Sequence, residues 1–139
     1  TKIPSGKTDS NSVITANDLL ASFCKLAGIT QSTTSDGEDR SAVLMGSPSN
    51  RKKAIYWEYG RNDISFNYPK GNDRSPSLAI RRGRWKLLIN DDGNNPELYD
   101  MVRDKKEQTN LASSQVKLVE EMKKELLDWW NALPRLPKM

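Results

Sequence analysis

The fold is decided by residues 78–88, which read Leu-Ala-Ile-Arg-Arg-Gly-Arg-Trp-Lys-Leu-Leu. Leu78 and Ile80 point to one side of a first strand, and Trp85 and Leu87 share one side of a second, because side chains alternate along a strand with a period of two. The Arg82-Gly83 step between them supplies a tight turn, since glycine tolerates the positive φ that short hairpins require. The stretch therefore predicts a β-hairpin.

Two more strands are expected on either side of this hairpin. Residues 53–59 alternate, with Ile55, Trp57 and Tyr59 on one face, and are rich in the aromatic residues that strands favour. Residues 91–96 form a turn-rich cluster, and Leu98-Tyr99 follows as a short strand. The patterns together predict an antiparallel sheet of three or four strands.

A long C-terminal helix is expected to cover this sheet. From about residue 114 to residue 133 apolar side chains recur at helical spacing, and Lys and Glu fill the opposite face until Pro134 ends the helix. Glu120 and Glu121 are spaced to pair with Lys124. We therefore predict an α+β fold, with a small antiparallel sheet of about four strands packed by the C-terminal helix.

A separate amphipathic helix is expected near the N-terminus. From residue 15 or 17 to Ala27 apolar residues recur at helical spacing, and Gly28 follows where a left-handed helix end costs little. Residues 31–40 carry almost no apolar side chain. They predict a surface loop that separates this helix from the sheet.

Composition limits the chemistry that the chain can supply. Its 139 residues are enough for one domain of ordinary size, with a net charge of +4 and no histidine. Histidine is the usual general base at neutral pH and the commonest metal ligand. Cys24 is the only cysteine, which excludes an intrachain disulfide and a cysteine-based zinc site. We expect no metal site and no catalytic residue in this chain.

The positive charge and the hydropathy bear on partners. A net charge of +4 favours polyanions through long-range attraction, but the composition does not favour nucleic acid as a partner. No apolar run reaches the length needed to cross a bilayer, so no membrane partner is expected. The first residues have neither a signal-peptide core nor an initiating methionine, and we expect the chain to be part of something longer.

Four motifs follow one another in a fixed order and resemble the C-terminal end of a sulfatase. They are the hairpin at residues 78–88, Glu97-Leu98-Tyr99-Asp100, residues 104–107, and Asn110-Leu111-Ala112. Further upstream, residues 3–7, 17–29 and 36–37 and the run Tyr56-Trp57-Glu58-Tyr59 are also similar to segments of that family. The resemblance covers almost the whole chain and is nearest to arylsulfatases like N-acetylgalactosamine-6-sulfate sulfatase, in the alkaline-phosphatase-like superfamily.

The resemblance implies a parent enzyme whose catalytic part precedes this chain. Sulfatases use a formylglycine, made from Cys or Ser in a Cys/Ser-x-Pro-x-Arg motif, together with a calcium ion. Residues 46–51 fall short of that motif, because Gly46 and Asn50 stand where Cys or Ser and Arg are required. Asp91 to Asn95 lacks the distant Glu of a calcium-binding loop, so a turn is the better explanation. Both cofactors are therefore expected in the parent and neither in this chain.

Four residues are candidates for substrate binding: Trp57, Glu58, Tyr59 and Arg81. The first three end a strand just before a long polar loop, from which they could flank a sugar ring, and the guanidinium fork of Arg81 suits an anion. Alternatively, Trp57 and Tyr59 pack in the core and Arg81 pairs with Glu58. By resemblance, the C-terminal domain closes one side of the catalytic cleft, so residues 60–75 are the region in which substrate contacts are expected.

The resemblance also implies an organisation and a function. Residues 1–40 would be the tail end of the parent's catalytic α/β domain, including the first helix, and residues 41–139 its C-terminal α+β subdomain. We expect a fragment of a sulfatase of sulfated glycans, inactive alone, whose partners are the N-terminal catalytic domain and the sulfated carbohydrate. The first helix would keep an exposed apolar face, which predicts oligomers, disorder or a swapped arrangement of the fragment alone. The alternative is a stand-alone basic module that binds anionic glycans or other polyanions. Export to the periplasm or outside the cell is implied by the family alone.

Overall fold

A computed structural model of the chain describes residue 3 and residues 5–30, 35–59 and 75–134. The chain forms two compact units, Thr1–Lys53 and Ala54–Met139. The assignment of residues 1–40 to a parent α/β domain and of 41–139 to a subdomain stays a prediction. Of residues 60–75, where substrate contacts were expected, 60–74 lie outside the described residues and Ser75 is described. Among those described, no helix is both long and apolar enough to cross a membrane.

The predicted N-terminal helix is confirmed as α1, Asn17–Ala27. Gly28 ends it in the left-handed conformation, with φ 70°, and its backbone N–H bonds back to the last turn. A second helix, α2, spans only Ser41–Leu44. Four residues are too few to give a periodic signal, so this helix was not predicted.

A buried carboxylate organises the N-terminal unit. Asp18 is fully buried and accepts hydrogen bonds from the backbone N–H groups of Thr15, at 2.8 Å, and Glu38, at 2.9 Å. It also forms an ion pair with the guanidinium of Arg51, whose side chain is buried too. A buried charge is tolerated only when it is paired and hydrogen-bonded, and Asp18 meets both conditions.

The prediction of a surface loop at residues 31–40 is wrong for part of the described segment 35–40. Gly37 and Arg40 are buried there. Arg40 donates to the carbonyl oxygens of Ser49, at 2.5 Å, and Asn50, at 3.0 Å. A polar side chain faces water only when the folded chain offers it no hydrogen-bond acceptor of its own. Here backbone carbonyls accept the hydrogen bonds of Arg40, so it is buried.

Gly37 has no room for a side chain. A Cβ at this position would overlap the backbone carbonyl of Asn17 and lie 2.8 Å from the backbone nitrogen of Asp18. We expect Gly37→Ala to lower the free energy of unfolding by about 1–3 kcal/mol, the usual range for overpacking. Urea denaturation checks this, with Gly6→Ala as control, because a Cβ at Gly6 meets nothing within 4 Å. Gly6 has φ 70°, so alanine at this position carries some backbone strain of its own. If Gly37→Ala lowered the free energy of unfolding no more than Gly6→Ala does, the result would contradict the overlap.

The second unit contains the predicted four-stranded antiparallel sheet. Its strands are β1 Ile55–Glu58, β2 Leu78–Arg82, β3 Trp85–Ile89 and β4 Glu97–Asp100. They lie in the order β1-β2-β3-β4, each antiparallel to the next. Gly83 begins the two-residue turn between β2 and β3 with φ 58°. The turn predicted before β4 is confirmed, with the N–H of Asn90 bonded to the carbonyl of Asn94 at 2.9 Å.

The core lies between one face of this sheet and the C-terminal helix α3, Val116–Ala132. Cross-strand pairing places Ile80, Leu87 and Leu98 in one row on that face. Helix α3 contributes three buried residues at helical spacing, Val119, Met122 and Leu126. The predicted α+β fold is confirmed.

Aromatic residues and charges complete the contact between sheet and helix. Trp129 stacks on Tyr56 with ring centroids 4.8 Å apart, a geometry that stabilises beyond the area buried. The predicted pairing of Lys124 with Glu120 or Glu121 is wrong. Lys124 instead pairs with Asp128 at 2.5 Å, and Arg82 on β2 attracts Glu121 and Glu125 across the interface.

Candidate functional site

The face of the sheet opposite α3 carries a small apolar cluster. Ala79, Leu88 and Tyr99 are buried there, and Trp57 and Met101 pack against them. Ala79 pairs with Trp57 on one side and with Leu88 on the other, so the cluster runs across the sheet. We call this surface the outer face.

Two cations lie directly opposite each other on the outer face. Arg81 on β2 pairs in register with Lys86 on β3. Lys86 Nζ lies 2.6 Å from Glu107 Oε1, and like charges in this position would otherwise repel. Burial lowers the pKa of Arg81, while the charge of Glu107 acts in the opposite direction. One carboxylate thus faces two cations, which leaves the group net positive.

The guanidinium of Arg81 makes a single hydrogen bond among the described residues. Its Nε makes a long hydrogen bond to the carbonyl of Gly83, at 3.4 Å. Among the described residues its two terminal nitrogens have no hydrogen-bond partner. A guanidinium whose terminal nitrogens are unused can bind a carboxylate or a sulfate with both of them.

Glu107 owes its position to an unusual backbone conformation. Its φ is 56°, in the left-handed region that residues other than glycine adopt only rarely. The turn that carries it is fixed by Asp104, whose carboxylate accepts the N–H groups of Gln108 and Thr109 at 2.8 Å each. The turn therefore aims Glu107 at Lys86.

Tyr99 and Glu97 form a second polar pair on the outer face. The hydroxyl of Tyr99 donates to Glu97 Oε2 at 2.9 Å. Burial, and then this bond to a carboxylate, raises the pKa of Tyr99 to about 12. Tyr99 therefore stays protonated at neutral pH and acts as a hydrogen-bond donor.

The structure brings some of the predicted site residues together and separates others. Trp57 and Arg81 lie on the outer face, whereas Glu58 lies on the helix side and accepts a hydrogen bond from Trp130 Nε1 at 3.0 Å. The suggested pair of Arg81 with Glu58 is therefore wrong, because Glu58 lies three residues from Ile55, the register partner of Arg81, and side chains an odd number of residues apart on a strand point to opposite faces. Tyr59 follows β1 and is 61% exposed. Their role in binding substrate stays a prediction.

Sequence reasoning missed Lys86 and Glu107. Lys86 lies on the same face as Arg81 by the period of two, and this signal was available in the hairpin sequence. Glu107 is 21 residues further along the chain, and no local pattern connects it to Lys86.

Other residues of the resembling motifs hold the structure together. Asp100 receives a two-pronged ion pair from Arg84. Asn110 accepts the backbone N–H groups of Leu98, at 3.0 Å, and Ala112, at 2.9 Å. These side chains are engaged within the chain and stabilise the fold.

The described residues do not fit either cofactor of a sulfatase. Among them, no three or more His, Cys, Asp or Glu side chains are gathered as a metal ion would require. Cys24 lies within α1, and no Pro or Arg follows it at the spacing that formylglycine formation needs. The part of the chain that the structure describes therefore offers a place for neither group.

Helix α1 exposes the apolar face that its sequence predicts. Leu20 and Phe23 are 55% and 56% exposed, and Ile29, just beyond the helix, is 62% exposed. Leu19 and Leu26 lie beside them and are exposed as well. Contiguous exposed apolar surface marks an interaction site in soluble proteins.

Known structures share this fold over most of the chain. A 2-O glycosaminoglycan sulfatase is 26% identical with a TM-score of 0.59, over 87% of this chain and 27% of its own. A phosphonate monoester hydrolase of Agrobacterium radiobacter is 25% identical with a TM-score of 0.51, over 82% and 24%. A protein solved with its substrate D-glucosamine-2-N,6-O-disulfate is 22% identical with a TM-score of 0.55, over 87% and 25%, and shows the fold alone.

The chain spans about a quarter of the length of these proteins. No curated protein matches it in sequence. The family model described as N-sulphoglucosamine sulphohydrolase, C-terminal, matches residues 1–132, nearly the whole chain. The chain belongs to the N-sulphoglucosamine sulphohydrolase C-terminal family.

Proposed function

We propose that this chain is the C-terminal region of a sulfatase that hydrolyses sulfate esters of sulfated glycans, and that it supports one side of the substrate cleft. Membership of the family supports the assignment, as does the similarity to a 2-O glycosaminoglycan sulfatase. The observation that carries a binding role is the opposition of Arg81 and Lys86, of which Lys86 is paired with Glu107.

The outer face suits a sulfated sugar in two ways. The terminal nitrogens of Arg81 can donate to sulfate oxygens, and charge-assisted bonds of this kind are the strong ones. Trp57 lies on the same face and offers an aromatic surface for a sugar ring. Tyr59, exposed just beyond β1, extends this surface, whereas Glu58, which faces the helix, has a supporting role through Trp130.

The formylglycine and the calcium ion belong, in this proposal, to the N-terminal catalytic part of the parent enzyme. Sulfate ester hydrolysis needs an activated nucleophile and positive charge to stabilise the sulfuryl oxygens. This chain has Lys and Arg but no histidine, and it would bind and orient the substrate without taking part in the chemical step. On its own it would be inactive.

The apolar face of α1 is the surface on which that catalytic part would dock. We expect the isolated chain to self-associate through this face, because each large side chain that leaves water contributes about 1.5–3 kcal/mol. Light scattering should show oligomers that become monomers in the double variant Leu20→Ser, Phe23→Ser. The matched control is Val102→Ser with Val116→Ser, both exposed residues of the other unit. A monomeric wild-type chain would contradict the expectation.

Substitution of Arg81 tests the binding role. We expect Arg81→Met to weaken binding of a 6-O-sulfated N-acetylglucosamine trimer by about ten- to a hundredfold, because a hydrogen bond to a charged group contributes about 1.5–3 kcal/mol. Isothermal titration calorimetry measures this at fixed salt concentration. Arg103→Met removes the same charge from an exposed turn and should change the affinity little. Equal losses in both variants would contradict a site at Arg81 and favour a diffuse basic surface that binds polyanions.

A further inference from the structure

A cavity of about 520 Å³ lies where one end of the sheet's strands is found. Because β2, β3 and β4 are antiparallel, the start of β2, the end of β3 and the start of β4 meet at this end of the sheet. The cavity is lined there by three asparagines, a carboxylate and two proline rings: Asn90, Asn95, Asn110, Glu97, Pro76 and Pro96. Its volume lies in the range of small-molecule sites, about 300–1,000 Å³.

The polar groups of this cavity suit a neutral ligand. Among the described residues the side-chain amides of Asn90 and Asn95 have no hydrogen-bond partner. Glu97 uses Oε2 to accept the hydroxyl of Tyr99, which leaves Oε1 for another donor. Among the described lining residues Glu97 is the one charged side chain. Amides and a carboxylate oxygen do match the hydroxyl and amide groups of an uncharged sugar.

The backbone at the rim of the cavity is unusual. Asn95 has φ 52°, a conformation that asparagine adopts more readily than most residues but glycine adopts freely. Such positions cluster at ligand sites. Glycine would satisfy the turn without strain, so what Asn95 adds to this position is its amide group.

A second cavity, of about 400 Å³, shares Pro96 and Asn110 with the first and extends to Ala112 and Val116 at the start of α3. Pro96, Ala112 and Val116 give it an apolar wall on which the C–H faces of sugar rings can pack. The two cavities are therefore neighbours, because Pro96 and Asn110 line both of them, and we call the pair the groove.

We propose that this groove binds an unsulfated, amide- or hydroxyl-bearing unit of a glycan chain. This proposal rests on the proposed function, because the glycan is the same one whose sulfated unit binds at Arg81. The groove takes the neutral unit, and the outer face takes the charged one. The chain then contacts the two kinds of sugar unit at two places on its surface.

The test is a titration of the ¹⁵N-labelled chain with neutral tri-N-acetylchitotriose, followed by the side-chain amide signals in NMR. We expect saturable shifts at Asn90 and Asn95. Asn90→Ala should weaken binding at least tenfold, and Asn131→Ala, an exposed residue of α3 outside both cavities, should not. Asn95→Gly provides a second variant that keeps the fold, because glycine adopts positive φ, and it too should weaken binding at least tenfold.

The outcomes separate this proposal from the proposed function. Unchanged signals of Asn90 and Asn95 at millimolar trisaccharide would overturn the groove. If the 6-O-sulfated trimer still perturbs Arg81 and Lys86 in that case, the proposed function remains. Shifts at Asn90 and Asn95 without any effect of sulfated sugar at Arg81 would support the groove and contradict the proposed function. Equal binding by the wild-type, Asn90→Ala and Asn95→Gly chains would also overturn the groove.

Discussion

Asp18→Ala should lower the free energy of unfolding of the N-terminal unit by about 3–5 kcal/mol, the usual cost of removing one partner from a buried ion pair. Asp18 is fully buried, and its loss leaves the guanidinium of Arg51 and two backbone N–H groups without their acceptor. Urea denaturation gives the magnitude, and amide hydrogen exchange in α1 shows that the loss is in this unit. The control is Asp36→Ala, an exposed carboxylate of the adjoining loop.

The same carboxylate makes stability depend on pH. Burial alone would raise the pKa of Asp18, but hydrogen bonds from Arg51 and from the backbone of Glu38 and Thr15 outweigh it and hold the pKa below its ordinary value. Because the pKa of Asp18 is lower in the folded chain than in the unfolded chain, where it is about 3.9, the ionised carboxylate stabilises the fold at pH values above about 3.9. This contribution is lost as the pH falls through the pKa that Asp18 has in the folded chain. We expect the difference between wild type and Asp18→Ala to be full at pH 6 and to shrink below pH 4. A difference independent of pH would contradict the ion pair.

Leu87→Ala should lower the free energy of unfolding of the second unit by about 2–5 kcal/mol, the range for deletion of a buried leucine. Leu87 has no exposed surface and lies between Ile80 and Leu98 in the row that α3 covers. The cavity left behind cannot close, because the backbones on both sides are fixed by ladder hydrogen bonds.

The control for this substitution is Val102→Ala in the same unit. Val102 is 64% exposed, and surface substitutions of this kind change stability by no more than about 0.5 kcal/mol. Denaturation followed by tryptophan fluorescence reports on the unit, because Trp129 stacks on Tyr56 within it. A loss below about 1 kcal/mol for Leu87→Ala would contradict the packing described for this core.

The sheet and its helix could be predicted because their signals are local. The alternation in residues 78–88 defines both strands and the turn, and the apolar spacing of α3 identifies Val119, Met122 and Leu126 as its buried side. Gly28 ends α1 because glycine adopts the left-handed backbone conformation without strain. Each of these features depends on residues close together in sequence.

The polar core of the N-terminal unit could not be predicted. Ser22 accepts the N–H of Arg40 from 18 residues away, and Asp18 binds Arg51 from 33 residues away. Charged and hydroxyl side chains are expected to face water from the sequence alone. Only the folded chain shows the protein groups that replace water as their hydrogen-bond partners. The same limit applies to Lys86 and Glu107, of which each alone looks like an ordinary surface charge.

We propose that the outer face, through Arg81 and Lys86, binds the sulfate group of a glycan. The most direct measurement is NMR titration of the labelled chain with a 6-O-sulfated N-acetylglucosamine trimer, followed at the Nε–H of Arg81 and the Nζ group of Lys86. We predict saturable shifts at these two groups and none at Arg103 or Lys117, which lie outside the sheet. Unchanged signals at Arg81 and Lys86, or equal shifts at all four side chains, would contradict the account.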